Sequence, residues 1–272
     1  MEKTKQSRNA PIGVFDSGLG GLTVLKSLEK ILPNESFIYF GDTAHVPYGA
    51  KSAETVLKYC RNILDFFSQY HTKAVVVACN TASAVAYNSL QKEYSISLFD
   101  VVSPSVEFAI KKSKTKKIGV IGTTNTINSK AYSHQFSDKN TDFSIYEISC
   151  PLFVPIIEEG WSDSKIAKEI ATEYLQDFEE KNIDILILGC THYPIMANTI
   201  QSVLPAKIQL VFSGETVGQK LFHYLKINKL INISTDGGNI KFYVSDLPQK
   251  FDDLGSRFLG RKLNNVTYIS LI

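Results

Sequence analysis

The stretch AVVVACNT, residues 74–81, decides the fold of this 272-residue chain, and ILILGCTH, residues 185–192, repeats its pattern. In each stretch a short aliphatic run ends in a cysteine that small polar residues follow. Such a run predicts a strand that is buried on both faces, and the polar residues predict the start of a helix. Because ligands of open α/β sheets bind at the carboxyl ends of the strands, we expect Cys79 and Cys190 to lie at a binding site.

A second pair of segments repeats at almost the same interval. IGVFDS at residues 12–17 returns as IGVIGT at residues 118–123, an offset of 118 − 12 = 106, and the two cysteines are 190 − 79 = 111 residues apart. Buried strands resemble one another in composition, so the strands alone do not establish a repeat. With the matched cysteines added, the pattern predicts an α/β fold of two similar open-sheet α/β domains related by pseudo-symmetry, with the active site in the cleft between them.

The domain boundaries follow from this repeat. We expect residues 1–100 and 207–272 to form the first α/β domain, which contributes Cys79. Residues 101–206 then form the second α/β domain, which contributes Cys190.

Two local patterns near these boundaries predict specific structures. Ser103 and Pro104 have the order of a helix cap and a first helical residue, so a helix should begin there. Segment 150–160 is apolar but carries Pro151 and Pro155, which argue against a strand or a helix interior. We expect a fixed, partly buried loop.

Composition and charge exclude several classes of function. The net charge of 29 − 27 = +2 gives no reason to expect a nucleic acid or a membrane as a partner. No apolar run approaches the roughly 20 residues that span a bilayer, and residues 1–10 lack the apolar core of a signal peptide. We therefore expect a cytoplasmic location. The cysteines at 60, 79, 150 and 190 form no CxxC pair, so neither a zinc site nor a disulfide framework is indicated.

Two cysteines that face one cleft are compatible with four chemistries. A redox disulfide needs both sulfurs within bonding distance, which opposite walls of a cleft do not favour. A metal site could use Cys190 and His192, but no further ligands have a recognisable spacing. Covalent acyl transfer leaves one cysteine without a role.

The fourth chemistry, proton transfer at a stereocentre, uses both cysteines. Inversion of a carbon requires a base on one face and an acid on the other, and a thiolate and a thiol from two similar halves supply them. The carboxylate of the substrate must then be held by fixed donors. Ser17, Asn80, Thr81 and Thr191, which lie beside the cysteines or at helix starts, suit that task.

Five motifs resemble those of the glutamate racemases, in the aspartate/glutamate racemase superfamily. They are FDSGLGG at residues 15–21, GDT with PYG at residues 41–49, CNTA at residues 79–82, PLFVP with Glu158 at residues 151–158, and GCTHYP at residues 189–194. The resemblance extends from residue 12 to at least residue 212. It implies a cofactor-independent isomerase that produces D-glutamate for peptidoglycan synthesis, and with it for cell wall biogenesis and cell shape.

The resemblance also implies roles for individual residues. Cys79 and Cys190 would be the acid and base residues, with Asp16 assisting at Cys79, and with His192 and Glu158 assisting at Cys190. No metal is implied, and a homodimer is usual in the family. The implied glutamate-binding residues are Asp16, Ser17, Tyr48, Gly49, Asn80, Thr81, Thr191 and His192. Thr123 falls where the family places a further ligand residue, although the residues after it depart from the family pattern.

Asp16 raises a difficulty, because a carboxylate beside a thiol disfavours the thiolate. Asp16 would therefore hold the substrate ammonium or relay a proton, and would not simply activate Cys79. Two rival functions stay open at this point. One is an aspartate or hydantoin racemase, which would share both cysteines but bind a different side chain. The other is a non-catalytic amino-acid-binding or phosphate-binding protein, which would give no reason for paired cysteines.

Overall fold

Ten strands form two parallel sheets within residues 7–139, 142–234 and 237–271, which the computed structural model describes. Residues 1–6, 235–236 and 272 of the predicted first domain, and residues 140–141 of the predicted second domain, lie outside this description. In chain order the strands are β1 (Ile12–Asp16), β2 (Phe37–Gly41), β3 (Ala74–Val77), β4 (Leu98–Asp100), β5 (Lys117–Gly122), β6 (Ser144–Ser149), β7 (Ile185–Gly189), β8 (Gln209–Phe212), β9 (Ile240–Val244) and β10 (Val266–Tyr268).

The two sheets share one strand order, and this confirms the predicted α/β fold of two similar halves. The first sheet runs β10-β9-β2-β1-β3-β4, and the second runs β6-β5-β7-β8. The segment β2-β1-β3-β4 therefore matches β6-β5-β7-β8 strand for strand. In each sheet the strand order changes direction next to the first strand of the repeat, which is β1 in the first sheet and β5 in the second. Ligands of open α/β sheets bind at such a point.

Helices cover both faces of the sheets. They are α1 (Gly21–Ile31), α2 (Ala53–Ser68), α3 (Asn80–Val85), α4 (Tyr87–Glu93), α5 (Val102–Lys112), α6 (Thr124–Asn128), α7 (Ala131–Asp138), α8 (Phe153–Glu158), α9 (Lys165–Leu175), α10 (Asp177–Lys181), α11 (Ala197–Ser202), α12 (Ser213–Ile227) and α13 (Pro248–Leu259), with 3₁₀ turns at Thr43–His45, Tyr48–Ala50 and Tyr193–Met196. Strands β1, β3 and β7 are buried along their whole length, as their aliphatic runs predicted. Helix α12 packs against both α1 and α5 and so joins the halves.

One strand lies in the other sheet from the one predicted. Residues 207–272 were assigned to the first domain, but β8 pairs with β7 in the second sheet, with Ile185 opposite Gln209 and Leu188 opposite Phe212. That assignment is wrong for this strand, because β8 is the counterpart of β4 in the repeat. The 111-residue offset between the two cysteines indicates the same correspondence, because β4 begins at residue 98, β8 begins at residue 209, and 98 + 111 = 209.

Two local predictions near the site also need correction. Helix α5 begins at Val102, before Ser103, because the carboxylate of Asp100 accepts the N–H groups of Val102 and Ser103 at 2.7 and 2.6 Å. The segment expected to be a loop contains α8, in which Pro155 is the third residue. A proline is tolerated in the first helical turn, because the N–H groups of that turn have no partner within the helix.

Candidate active site

Strand ends from both sheets bring the candidate residues together. Asp16 is the last residue of β1, and Cys79 lies two residues beyond β3. Thr123 and Cys190 directly follow β5 and β7 in the second sheet. Cys79 and Cys190 are only 4% and 6% exposed, so the site is closed to solvent in this conformation.

The Cys79 thiol is held in its protonated form. Its sulfur caps α3 by accepting the N–H of Ala82 at 3.5 Å, and it lies 3.8 Å from the hydroxyl of Ser17. Burial, together with the negative charge of Asp16, raises the pKa of Cys79 to about 12. The contacts with Ala82 and Ser17 favour the thiolate but do not outweigh these effects. The sequence predicted that the charge of Asp16 would disfavour a thiolate at Cys79, and the structure places the two groups so that it does.

Asp16 links the surroundings of the two cysteines. Its carboxylate accepts the N–H of Gly18 at 3.0 Å and the hydroxyl of Thr191, from the second half, at 3.3 Å. Burial raises the pKa of Asp16, and the positive charge of His192 partly offsets that increase. A carboxyl placed in this way can bind a cation or exchange a proton.

Cys190 begins a chain of contacts that leads to a carboxylate. Its sulfur lies 4.0 Å from Nδ1 of His192, and Nε2 of His192 lies 3.0 Å from Oε1 of Glu158. Burial opposes a charge on His192, but its contacts with Cys190 and Glu158 prevail and raise its pKa to about 10. The hydrogen bond from His192 in turn lowers the pKa of Glu158. At neutral pH this geometry places a protonated imidazole beside the sulfur.

Contacts across the cleft hold the two halves close together. The hydroxyl of Thr23 on α1 donates to the carbonyl of Thr191 at 2.7 Å. Gly20, just before α1, is packed so tightly that an added Cβ would lie 2.2 Å from Oγ1 of Thr191 and 2.4 Å from Nδ1 of His192. Only a residue without a side chain fits between the halves at this point.

Tyr48 and Gly49 reach the second half through their backbone. The Tyr48 hydroxyl donates to buried Asp42 at 2.6 Å, while its carbonyl accepts from the side chain of Asn125 at 3.1 Å. An added Cβ on Gly49 would lie 3.0 Å from Cβ of Thr123. The phenol of Tyr48 is therefore already engaged within the protein, and the backbone is the part of this segment that can face a ligand.

Two polar groups complete the site next to Cys79. The hydroxyl of Thr81 lies 3.0 Å from that of Thr123 and 3.2 Å from that of Thr126, and these contacts cross between the halves. The amide nitrogen of Asn80 contacts Tyr132 and Ser213, which both belong to the second half or the helix that follows it. Every predicted site residue thus lies in or beside this one cleft.

A comparison with known protein families identifies the fold family. A family model described as Asp/Glu/Hydantoin racemase matches residues 12–217. The chain belongs to this racemase family. The resemblance found in the sequence is confirmed, and membership makes the protein an isomerase.

Relatives match the racemase along nearly its whole length. The glutamate racemase of Geobacter metallireducens is 44% identical over 260 residues, 96% of each chain. The crystal structure of glutamate racemase from Francisella tularensis in complex with D-glutamate is 42% identical, with a TM-score of 0.90, and the match covers 97% of this chain and 98% of that one. The structure of the glutamate racemase isoform RacE1 from Bacillus anthracis has a TM-score of 0.93 at 33% identity, over the same shares of the two chains.

Several residues that build the site of this racemase were missed in the sequence. Asp42 lies within a quoted motif but was given no role, although it accepts from both Tyr48 and Ser245. Thr23, Tyr132 and Ser213 carry no motif of their own, and only the folded chain brings them to the cleft. A signal for Asp42 was available, because a carboxylate directly after a buried strand needs donors.

Residues 7–139, 142–234 and 237–271 hold neither a membrane-spanning helix nor a metal-binding cluster. No helix there is long and apolar enough to cross a bilayer. The same residues contain no group of three His, Cys, Asp or Glu side chains arranged to hold a metal ion.

Proposed function

We propose that this racemase interconverts L- and D-glutamate by a two-base mechanism that needs no cofactor. The observation that carries the proposal is the placement of two buried cysteines at equivalent strand ends of two sheets with the same strand order. A symmetric pair of acid–base groups is what inversion of a carbon requires. The relatives named glutamate racemase, at 42–44% identity, support glutamate as the substrate.

In this mechanism each cysteine serves one face of the substrate. The thiolate of one cysteine removes the α-proton, and the electron pair left on Cα is delocalised into the carboxylate. The thiol of the other cysteine then donates its proton to the opposite face, so one proton is taken up and one is released. The reverse reaction exchanges the two roles.

The surroundings of the cysteines suggest how the roles are distributed at rest. Cys79 carries its proton, because burial and Asp16 hold its pKa at about 12. Cys79 therefore acts first as the acid, and Cys190 acts as the base. His192, which Glu158 orients, faces the sulfur of Cys190 and exchanges protons with it.

The remaining residues hold the substrate in this proposal. The two carboxylates and the ammonium of glutamate are bound by the hydroxyls of Ser17, Thr81 and Thr191, by the side chain of Asn80, and by the backbone of Tyr48 and Gly49. Asp16 attracts the ammonium. Fixed donors of this kind stabilise the negative charge that develops on the carboxylate. We further propose that the enzyme acts in the cytoplasm as a homodimer and supplies D-glutamate for peptidoglycan.

An assay of optical rotation tests the reaction and the substrate together. The purified protein is incubated with L-glutamate, without pyridoxal phosphate or added metal, and in parallel with L-aspartate. We expect the rotation of the glutamate sample to decay to zero and that of the aspartate sample to persist. Faster loss of rotation with aspartate would instead favour the aspartate racemase alternative, and saturable binding without any loss would favour a binding protein.

A further inference from the structure

Three buried polar side chains meet beside Cys79 and connect the halves of the molecule. Asn80 directly follows Cys79, Tyr132 lies on α7, and Ser213 is the first residue of α12. The amide nitrogen of Asn80 lies 3.0 Å from the Tyr132 hydroxyl and 3.1 Å from the Ser213 hydroxyl. None of the three is more than 3% exposed, so water does not compete for these contacts.

The carbonyl of Leu188 determines the direction of the hydrogen bonds in this cluster. A carbonyl can only accept, and the Ser213 hydroxyl lies 3.3 Å from it, so Ser213 donates its single proton there. Ser213 therefore presents a lone pair to the amide of Asn80. The Tyr132 hydroxyl likewise accepts from the amide nitrogen of Asn80. Both groups thus require an N–H donor, and the nitrogen end of the Asn80 amide must face them.

The other end of this amide has no partner. Oδ1 of Asn80 is buried and accepts no hydrogen bond within the described protein. A buried acceptor left in this state has lost its hydrogen bond to water without a replacement, and such groups in native proteins call for an explanation. Oδ1 can accept but cannot donate, so it complements an ammonium and does not complement a carboxylate.

We propose that Tyr132 and Ser213 are positioning residues that orient the Asn80 amide, so that Oδ1 of Asn80 accepts a hydrogen bond from the substrate ammonium. The inference rests on the proposed function, because it concerns the same substrate. It assigns recognition of the amino group to a neutral acceptor next to Cys79, in addition to the charge of Asp16.

Removal of one hydroxyl at a time tests this proposal. The variants are Tyr132→Phe and Ser213→Ala, and the matched control is Tyr87→Phe, which removes a tyrosine hydroxyl that donates to the Leu98 carbonyl at 3.0 Å outside the site. The probes are glutamate, through its KM, and glutarate, through its inhibition constant. Glutarate carries both carboxylates of glutamate but no ammonium.

The expected result is a selective loss of affinity. The KM for glutamate should rise about tenfold in both variants, as for loss of one hydrogen bond to a charged group. The inhibition constant of glutarate should stay within about twofold of wild type, and Tyr87→Phe should change neither quantity.

Three results would overturn the inference. Equal weakening for both probes would indicate general distortion of the site, and stronger weakening for glutarate would mean that the amide nitrogen faces a carboxylate. Unchanged constants for both probes would remove any positioning role.

Thermal unfolding checks that each variant is folded, and Ser213→Ala, the smaller change, carries the test if Tyr132→Phe does not fold. If the wild-type protein fails to turn over glutamate, the proposed function is wrong as well. If the wild-type protein is active but the variants weaken both probes equally, only this inference is wrong.

Discussion

Burial and, after it, the negative charge of Asp16 keep the Cys79 thiol protonated by raising its pKa. Asp16→Asn removes that charge while keeping the shape of the side chain, so we expect the pKa of Cys79 to fall below its wild-type value of about 12. The ultraviolet absorbance of the thiolate, taken as the difference between each protein and its Cys79→Ser counterpart, measures the shift. An unchanged or higher midpoint in the Asp16→Asn protein would show that the carboxylate does not act on this thiol.

His192 and Glu158 make stability depend on pH in a defined direction. The pKa of His192 is about 10 in the folded protein, against an ordinary 6.5. A raised folded pKa gives stabilisation that is complete below about pH 6.5 and is lost as the pH rises through about 10. Glu158→Gln removes the partner of the imidazolium, and because the side chain of Glu158 is 42% exposed we expect a loss of only ~1 kcal/mol.

Urea unfolding of wild type and Glu158→Gln measures this difference. At pH 7 the variant should be the less stable protein, and the gap should narrow as the pH approaches 10. A gap that stayed constant from pH 7 to pH 10 would show that the contact contributes through packing and not through charge.

At the scale of elements, the start of α1 sets how closely the two halves approach. Gly20 has helical backbone angles, so Gly20→Ala is compatible with the backbone and any loss comes from the contact of the new methyl group with Thr191 and His192. We expect kcat/KM to fall at least about tenfold, since small displacements of catalytic groups cost that much.

Gly218→Ala is a suitable control for this prediction. Its added Cβ also faces α1, but there the close contact, at 2.5 Å, is with the end of the flexible Ile31 side chain, and Leu28 lies at an ordinary contact distance of 3.6 Å. This variant should keep activity near the wild-type level. Equal activity of Gly20→Ala and wild type would mean that the halves can separate at this point without cost.

Elements that follow from local pattern were predictable, and elements that depend on distant partners were not. The strands that precede Cys79 and Cys190 are aliphatic runs bounded by polar residues, and they form where expected. Strand β8 was assigned to the wrong sheet, because the residues of a strand do not by themselves determine which sheet it pairs with. The role of Ser213 was invisible for the same reason, since its partner Asn80 lies 133 positions away.

At the scale of the whole molecule, the two cysteines of the site are almost fully buried between the halves, so we expect substrate entry to require some separation of the halves. Cys79 and Cys190 lie at the cleft and are 4% and 6% exposed, whereas Cys60 and Cys150 are 0% exposed. An alkylating reagent added to native protein should therefore modify Cys79 and Cys190 first, and saturating D-glutamate should slow both reactions.

Mass spectrometry of the alkylated peptides follows all four thiols in one experiment. Cys60 and Cys150 should react only under conditions that unfold the protein. Reaction of all four thiols at one rate would show that access depends on global unfolding and not on opening of the cleft.

The measurement that tests the central claim most directly is exchange of the α-proton in heavy water by single-cysteine variants. Cys79→Ser keeps Cys190 as a base, so deuterium should enter Cα from the enantiomer whose α-proton faces Cys190 and hardly at all from the other. Cys190→Ser should show the reverse preference. Equal residual exchange from L- and D-glutamate in both variants would contradict the assignment of one cysteine to each face.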